Sequence, residues 1–339
     1  MKQKLLVVAV SGALAAMAAP ASFAQSTATI SGTINVGVHA TGAAGNAGNA
    51  GIVSLGGGAN AINIETAEEL GGGLKTGFTS QIRFNAATGD RGSAGTGNAL
   101  MHTANVYFTG GFGTFRIGKI GEASNCGYDP WGCTGGAAMM AGTGQSALHA
   151  GGTTANAISF LTPNVNGLSA SYQSSMTGPR VNERRLMSID YAQGPVGLQF
   201  LQSNNTANTA GDTAGGGALT TITDAKARGQ SLSASYNLGV AKISVSNTLL
   251  KDAGATRTSN MTMLAATIPM GAYTWLLGTN KARQAGGGHY AGVTGANDTK
   301  FSAGVNYALS KRTTLGADLM KAEAVDGTSG FSLRVRHTF

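Results

Sequence analysis

The chain has 339 residues, of which 53 are glycine, 6 proline and 11% charged; its net charge is +8 and its mean hydropathy +0.02. Glycine at about twice its usual share, with so little charge and no Gly-X-Y period, excludes collagen, acidic disordered tails and charged coiled coils. A hydropathy near zero excludes a helical membrane bundle, and no run beyond the N-terminus approaches the roughly 18 apolar residues of a membrane-spanning helix.

Residues 1–24 read as an export signal. Lys2 and Lys4 form a basic start, and Leu5 to Ala19 an apolar stretch too short to cross a bilayer. Ser22-Phe23-Ala24 then supplies the small residues that a signal peptidase needs. Cleavage there leaves residues 25–339, with 21 basic side chains against 15 acidic ones, a mature charge of +6. An exported chain without an apolar helix can enter a membrane only by strands.

Strands are what follow. From Ile30 the even positions read Ile30, Gly32, Ile34, Val36 and Val38, against Ser31, Thr33, Asn35, Gly37 and His39. This period of two marks a strand with one apolar and one polar face. Leu74, Phe78, Ile82 and Phe84 alternate with Lys75, Thr79, Gln81, Arg83 and Asn85. Leu168-Ala170-Tyr172, Leu232-Ala234-Tyr236, Phe301-Ala303-Val305-Tyr307 and Phe331-Leu333-Val335-His337-Phe339 alternate likewise with polar residues or glycine. Tyr172, Tyr191, Tyr236, Phe301, Tyr307 and Phe339 suit a girdle at a membrane interface.

Connections alternate in length. Short ones fall at 69–73, 110–113, 164–167, 194–195, 238–239, 270–271 and 310–311; long ones, rich in Gly, Ala, Asn and Thr, at 41–59, 87–98, 121–154, 206–225 and 284–297. Seven hairpins plus a first and a last strand make sixteen, and each has room for the roughly 10 residues of a tilted spanning strand. The expected fold is therefore all-β: one 16-stranded antiparallel transmembrane β-barrel over 25–339. A secreted sandwich would alternate in the same way, but sixteen sandwich strands would be split between domains and no linker breaks the chain.

Catalytic chemistry is missing from the pattern. His39, His102, His149, His289 and His337 are scattered without metal-ligand spacing, and there is neither a Gly-x-Ser-x-Gly elbow nor a Walker lysine. No enzyme, metal or cofactor is expected. Arg184-Arg185 is the densest basic cluster, so no nucleic-acid partner is expected either.

Three segments carry a resemblance. Glu68-Glu69-Leu70-Gly71-Gly72-Gly73-Leu74-Lys75 resembles the first periplasmic turn of the general bacterial porins, β-proteobacterial type. Gly110-Gly111-Phe112-Gly113-Thr114-Phe115-Arg116-Ile117-Gly118-Lys119 is similar to their second turn and fifth strand, and Arg336-His337-Thr338-Phe339 to their terminal motif. The resemblance implies a homotrimer in the outer membrane, among its lipids and lipopolysaccharide, with short periplasmic turns and long extracellular loops. It implies passive passage of small hydrophilic solutes, a third loop (121–154) folded inward as the constriction, and Phe339 as the residue that the outer-membrane assembly machinery reads. The sequence departs from the family at Ala61 and His102, where arginines are expected, and at Gln81, where an acid is usual. On the fourth strand Ala104, Val106 and Phe108 suggest one outward face and the family's arginine position the other, so the side that His102 faces stays open.

Parity points Lys75, Arg83, Arg116, Lys242, Arg334 and Arg336 inward, and Lys119 stands where the fifth strand enters the third loop. Against them stand Glu122 and Asp129 in that loop and Asp318 on the fifteenth strand, so the expected pore prefers anions. The oxidising periplasm makes Cys126 and Cys133, seven apart in the third loop, a disulfide candidate, with two free thiols as the other reading. A surface scaffold or adhesin working through the long loops is the alternative function. A substrate-specific channel would need an aromatic slide, and Trp131 and Trp275 are the only tryptophans.

Overall fold

The computed structural model describes residues 26–42, 51–54, 60–90, 101–132, 153–176, 184–205, 227–252, 258–285, 297–323 and 329–339. These form β1 (Thr27–Gly42), β2 (Gly51–Ser54), β3 (Ala61–Gly71), β4 (Leu74–Arg83), β5 (Met101–Gly110), β6 (Gly113–Gly121), β7 (Thr153–Leu161), β8 (Leu168–Ser175) and β9 (Arg184–Gln193). There follow β10 (Val196–Asn205), β11 (Ala227–Asn237), β12 (Lys242–Asp252), β13 (Thr258–Met270), β14 (Tyr273–Ala285), β15 (Asn297–Ala308), β16 (Thr313–Ala322) and β17 (Ser329–Thr338). A short 3-10 helix, η1 (Cys126–Tyr128), lies between β6 and β7.

From β3 onward each strand pairs antiparallel with the next, and β1 pairs with β2, β3 and β17. The sheet is thus a closed barrel with no edge, which satisfies every backbone group internally where no water can. Seventeen segments make sixteen staves, because β3 runs along Thr27–Thr33 of β1 and β2 along Val36–His39 of the same strand. The glycine-rich stretch at 41–59, expected as loop alone, therefore contributes a strand segment. The predicted signal peptide, Cys133 with its pairing to Cys126, and most of the long loops lie outside the described residues.

Burial is inverted relative to a soluble protein. Large apolar side chains are exposed, Leu232 at 62%, Leu319 at 63% and Leu333 at 56%, whereas Ser231, Ser246, Thr248, Asn280 and Ser332 are buried at 2% or less. Period-2 alternation produces this directly: β12 exposes Ile243, Val245 and Asn247 and buries Ser244, Ser246 and Thr248. The apolar band faces lipid and the hydroxyl-rich face lines the interior. At the turn end Tyr273 and Tyr307 pair at 4.9 Å between ring centroids, with Trp275 exposed two residues along β14 and Tyr236 exposed on β11, forming part of an aromatic girdle. Phe301 stands six residues further up β15, on the loop side, well away from that row. In detergent, the folded protein will give a β-rich circular dichroism spectrum and migrate faster unheated than boiled; a helix-dominated spectrum would contradict the architecture.

Candidate functional site

The interior is divided by the segment that follows β6. Asn125 is buried and donates from Nδ2 to Ser231 Oγ (3.1 Å) and Thr248 Oγ1 (3.3 Å) on β11 and β12. Lys242 Nζ donates to the Gly127 carbonyl at 3.2 Å and lies 5.9 Å from the centre of the Tyr128 ring. Burial, and after it the negative charge of Asp190, raise the Tyr128 phenol above its ordinary pKa, so it stays protonated at neutral pH. The segment thus leaves one wall and rests on the opposite one.

Its far contact is the most elaborate polar cluster among the described residues. Trp131, 6% exposed, donates from Nε1 to Asp318 Oδ1 on β16 at 3.0 Å. Asp318 Oδ2 accepts from Arg334 Nε at 2.9 Å and from Ser332 Oγ at 3.0 Å, both on β17. Arg334 Nη2 also reaches Asn306 Oδ1 at 2.7 Å. Two glycines make room: a Cβ at Gly316 would lie 2.6 Å from Arg334 Cζ, and one at Gly304 would lie 2.4 Å from Asp318 Oδ1. Inward-facing Asp318 and Arg334 therefore neutralise each other, with side chains 1% and 8% exposed. Neither offers a free charge to a passing ion.

Other acids are engaged in the same way. Glu122 accepts from Thr154 Oγ1 at 2.7 Å and sits 3.6 Å from Arg184 Nη1. Asp129, 5% exposed, accepts the Trp131 backbone N–H at 3.0 Å, so its carboxylate shapes the turn that aims the indole. Lys75 pairs with Glu69 at 2.5 Å near the turn end, both half exposed. Asp190 accepts from Ser188 Oγ at 2.8 Å and from Gln199 Nε2 at 2.6 Å.

By contrast, Arg83, Arg116, Lys119, Lys242 and Arg336 form no ion pair among the described residues. Arg83 stands opposite Ala61 and donates to Gln81 Oε1 at 2.7 Å; Arg116 stands opposite Tyr107 and Ser159. Arg336 is exposed, between Asn35 and Thr314.

Two bulges explain where simple parity fails. Gln81 pairs with Thr103 but Ile82 with Met101, so His102 is an extra residue, and its charged neighbours are Arg83, Lys119 and Glu122. That places His102 on the interior side, the question that alternation leaves open. The second register shift lies between Gly118 and Ile120. Gly118 adopts φ +136, where a Cβ would meet the Ala104 carbonyl oxygen at 2.4 Å, and Lys119 turns its Nζ to the Met101 carbonyl at 3.2 Å. Sequence reasoning passed over two interior acids, Glu65 opposite Thr79 and Asp190 opposite Gln199. Alternation carried the signal for both: Asp190 lies between apolar Ile189 and Tyr191.

A family profile of Gram-negative porins matches residues 9–327. The chain is 30% identical over 279 residues to outer membrane porin protein 32 of Delftia acidovorans, covering 76% of this chain and 75% of that one. Its structure is similar to an anion-selective porin from Comamonas acidovorans, with TM-score 0.74 and 21% identity over 93% of this chain and 100% of that one. It is also similar to the trimer form of OmpT, an outer membrane protein of Vibrio cholerae, with TM-score 0.64 and 14% identity over 93% of this chain and 99% of that one. A closed sixteen-stave barrel, apolar outside and polar within, matched by that profile over most of its length, belongs to the Gram-negative porins, channel proteins of the outer membrane.

Proposed function

We propose that the pore passes small hydrophilic solutes passively, prefers anions and carries out no catalysis. The charge balance of the interior supports this: five cations, Arg83, Arg116, Lys119, Lys242 and Arg336, are outside any described ion pair, whereas Glu69, Glu122, Asp129, Asp190 and Asp318 are all held by partners or buried in a turn. Unpaired cations in a narrow, low-dielectric wall focus a positive potential on the passing ion. The similar porin from Comamonas acidovorans is anion-selective, which agrees with the reading. Arg83, Lys119 and His102 are the residues to which we assign the narrow part, with Arg116 on the turn side of it.

The barrel stands with its long loops outward among outer-membrane lipids and lipopolysaccharide, Phe339 is the residue read by the assembly machinery, and the working unit is a homotrimer, as for the trimer form of OmpT. In planar bilayers, stepwise ohmic openings are expected, with a reversal potential in a KCl gradient that favours chloride. The preference should shrink as salt rises, because the Debye length falls from about 10 Å at 0.1 M to about 3 Å at 1 M. A silent bilayer favours the scaffold or adhesin instead, and cation preference overturns the charge argument.

A further inference from the structure

Arg83 is the last residue of β4, and its backbone is supported by a neighbouring strand on one side only. Ala61 of β3 stands directly opposite it, but pairing with β5 ends one residue earlier, at Ile82 with Met101. Its guanidinium is carried on a long side chain with many rotamers, so the backbone alone does not fix where the charge stands in the pore. A side-chain chain of hydrogen bonds supplies the missing constraint. Arg83 Nε donates to Gln81 Oε1 at 2.7 Å, and Gln81 Nε2 donates in turn to Asn63 Oδ1 at 2.8 Å. Asn63 stands directly opposite Gln81 across β3 and β4, and all three side chains are half-buried on the interior face.

The polarity of this chain is dictated from the Arg83 end. Arginine has donors and no acceptor, so Gln81 must turn its carbonyl oxygen toward Nε. Its amide nitrogen then faces Asn63, which must offer an oxygen. An Asn63 turned end for end would set one amide nitrogen against another, so the two amides hold each other in a single orientation.

What sets the tether apart is its neutrality. A carboxylate at position 81 would accept the same hydrogen bond and cancel the charge, as Asp318 does for Arg334. The amide holds Nε and adds no charge, while the Nη groups have no hydrogen-bond partner among the described residues. Along β3 the nearest acid, Glu65, stands two rows toward the turn, opposite Thr79. Glu122, beyond β6, is engaged by Thr154 and Arg184. The next amide on this wall, Asn105, accepts from Thr79 Oγ1 at 3.1 Å and donates to the Lys119 carbonyl at 3.4 Å, again without charge.

We propose that Gln81 is a specificity-determining residue of the pore: oriented by Asn63, it is a neutral tether that fixes the Arg83 guanidinium at the wall and leaves its charge uncancelled. A cation held in one place in a low-dielectric wall concentrates its field there, whereas one that swings among rotamers spreads it and one that is paired loses it. The proposal rests on the anion preference given above and adds the residue that maintains it.

The test is single-channel recording of the folded full-length barrel in planar bilayers. Reversal potentials in a KCl gradient and the noise of the open-channel current are read from the same channels, and faster migration unheated confirms that each variant is folded. Q81E, nearly the same in shape, places a carboxylate on Nε, and the reversal potential should move toward zero at least as far as in R83Q. Q81L cannot accept a hydrogen bond and leaves Arg83 charged but loose. Its anion preference should keep its sign and shrink, and its open-channel noise should rise. N63L should act in the same direction and more weakly, because the Gln81 amide is then free to turn. Neither rise in noise should occur when R83Q is also present, since no guanidinium remains to be held; lost wall packing alone would raise noise in both backgrounds. A parental reversal potential in Q81E overturns the proposal, and so does noise in Q81L that fails to rise or that persists beside R83Q. Q81E decides the matter even where Q81L does not fold. A parent that prefers cations refutes the anion reading; the noise comparison needs no selectivity and then judges the tether by itself.

Discussion

Asp318→Ala will destabilise the barrel by roughly 3–5 kcal/mol, the usual effect of removing one partner from a buried ion pair. The size follows from what remains. Arg334, 8% exposed, loses Asp318 and keeps only Asn306 for its guanidinium, while the Trp131 indole N–H loses its acceptor. Two elements fail together, since the cluster joins β16 to β17 and anchors the segment that crosses the pore. The expected readouts are a lower temperature for the loss of the fast-migrating folded form and channel openings that flicker. Replacing both charges with apolar residues, Asp318→Leu with Arg334→Met, should recover much of the stability without restoring steady openings, because the bond from the indole N–H to Asp318 is still lost. Asp318→Ala leaving both thermal stability and channel noise unchanged would remove the anchoring role.

The second large effect is on selectivity. Arg83→Glu combined with Arg116→Glu changes the interior charge by four units, and the KCl reversal potential should cross zero toward cations. Each unpaired charge acts over a few ångströms at an effective dielectric between water and protein, on the order of 1–4 kcal/mol at 4 Å. Even after screening, this suffices to invert a permeability ratio of several-fold. Arg334→Gln should leave the sign of selectivity unchanged, because Asp318 already neutralises that arginine. If Arg334→Gln moved the reversal potential as far as the double variant, the distinction between paired and unpaired cations would fail.

Alternation made the barrel legible before any coordinates. Ile243, Val245, Ser244 and Ser246 declare their faces by parity alone, and the seven short connections fix how the staves pair. The same rule is silent wherever a residue is added to a strand. His102 and Lys119 both sit at register shifts, where counting by twos loses its origin, and only backbone pairing restores it. Partnership was illegible for a different reason. Parity turns Arg334 and Asp318 inward but carries no information about height along the barrel, so it could not reveal that they meet. Trp131 and Asp318 are 187 residues apart, and nothing local to either names the other. Ala61 stands where the family carries an arginine; in the structure it is a small buried residue opposite Arg83.

The anchor of the crossing segment also imposes an order of events on assembly. Trp131 belongs to the first half of the chain, whereas Asp318, Ser332 and Arg334 are on the last two staves in sequence. Closing a contact over so long a stretch is entropically slow and gains nothing until both ends are in place. The cross-piece therefore cannot seat on its final partner until β16 and β17 have paired with each other. Until then the nascent barrel has a wide and unobstructed interior. A chain truncated before β16 would lose both the closing seam and the means of narrowing its own passage, and any such fragment that inserted would be an indiscriminate hole in the membrane.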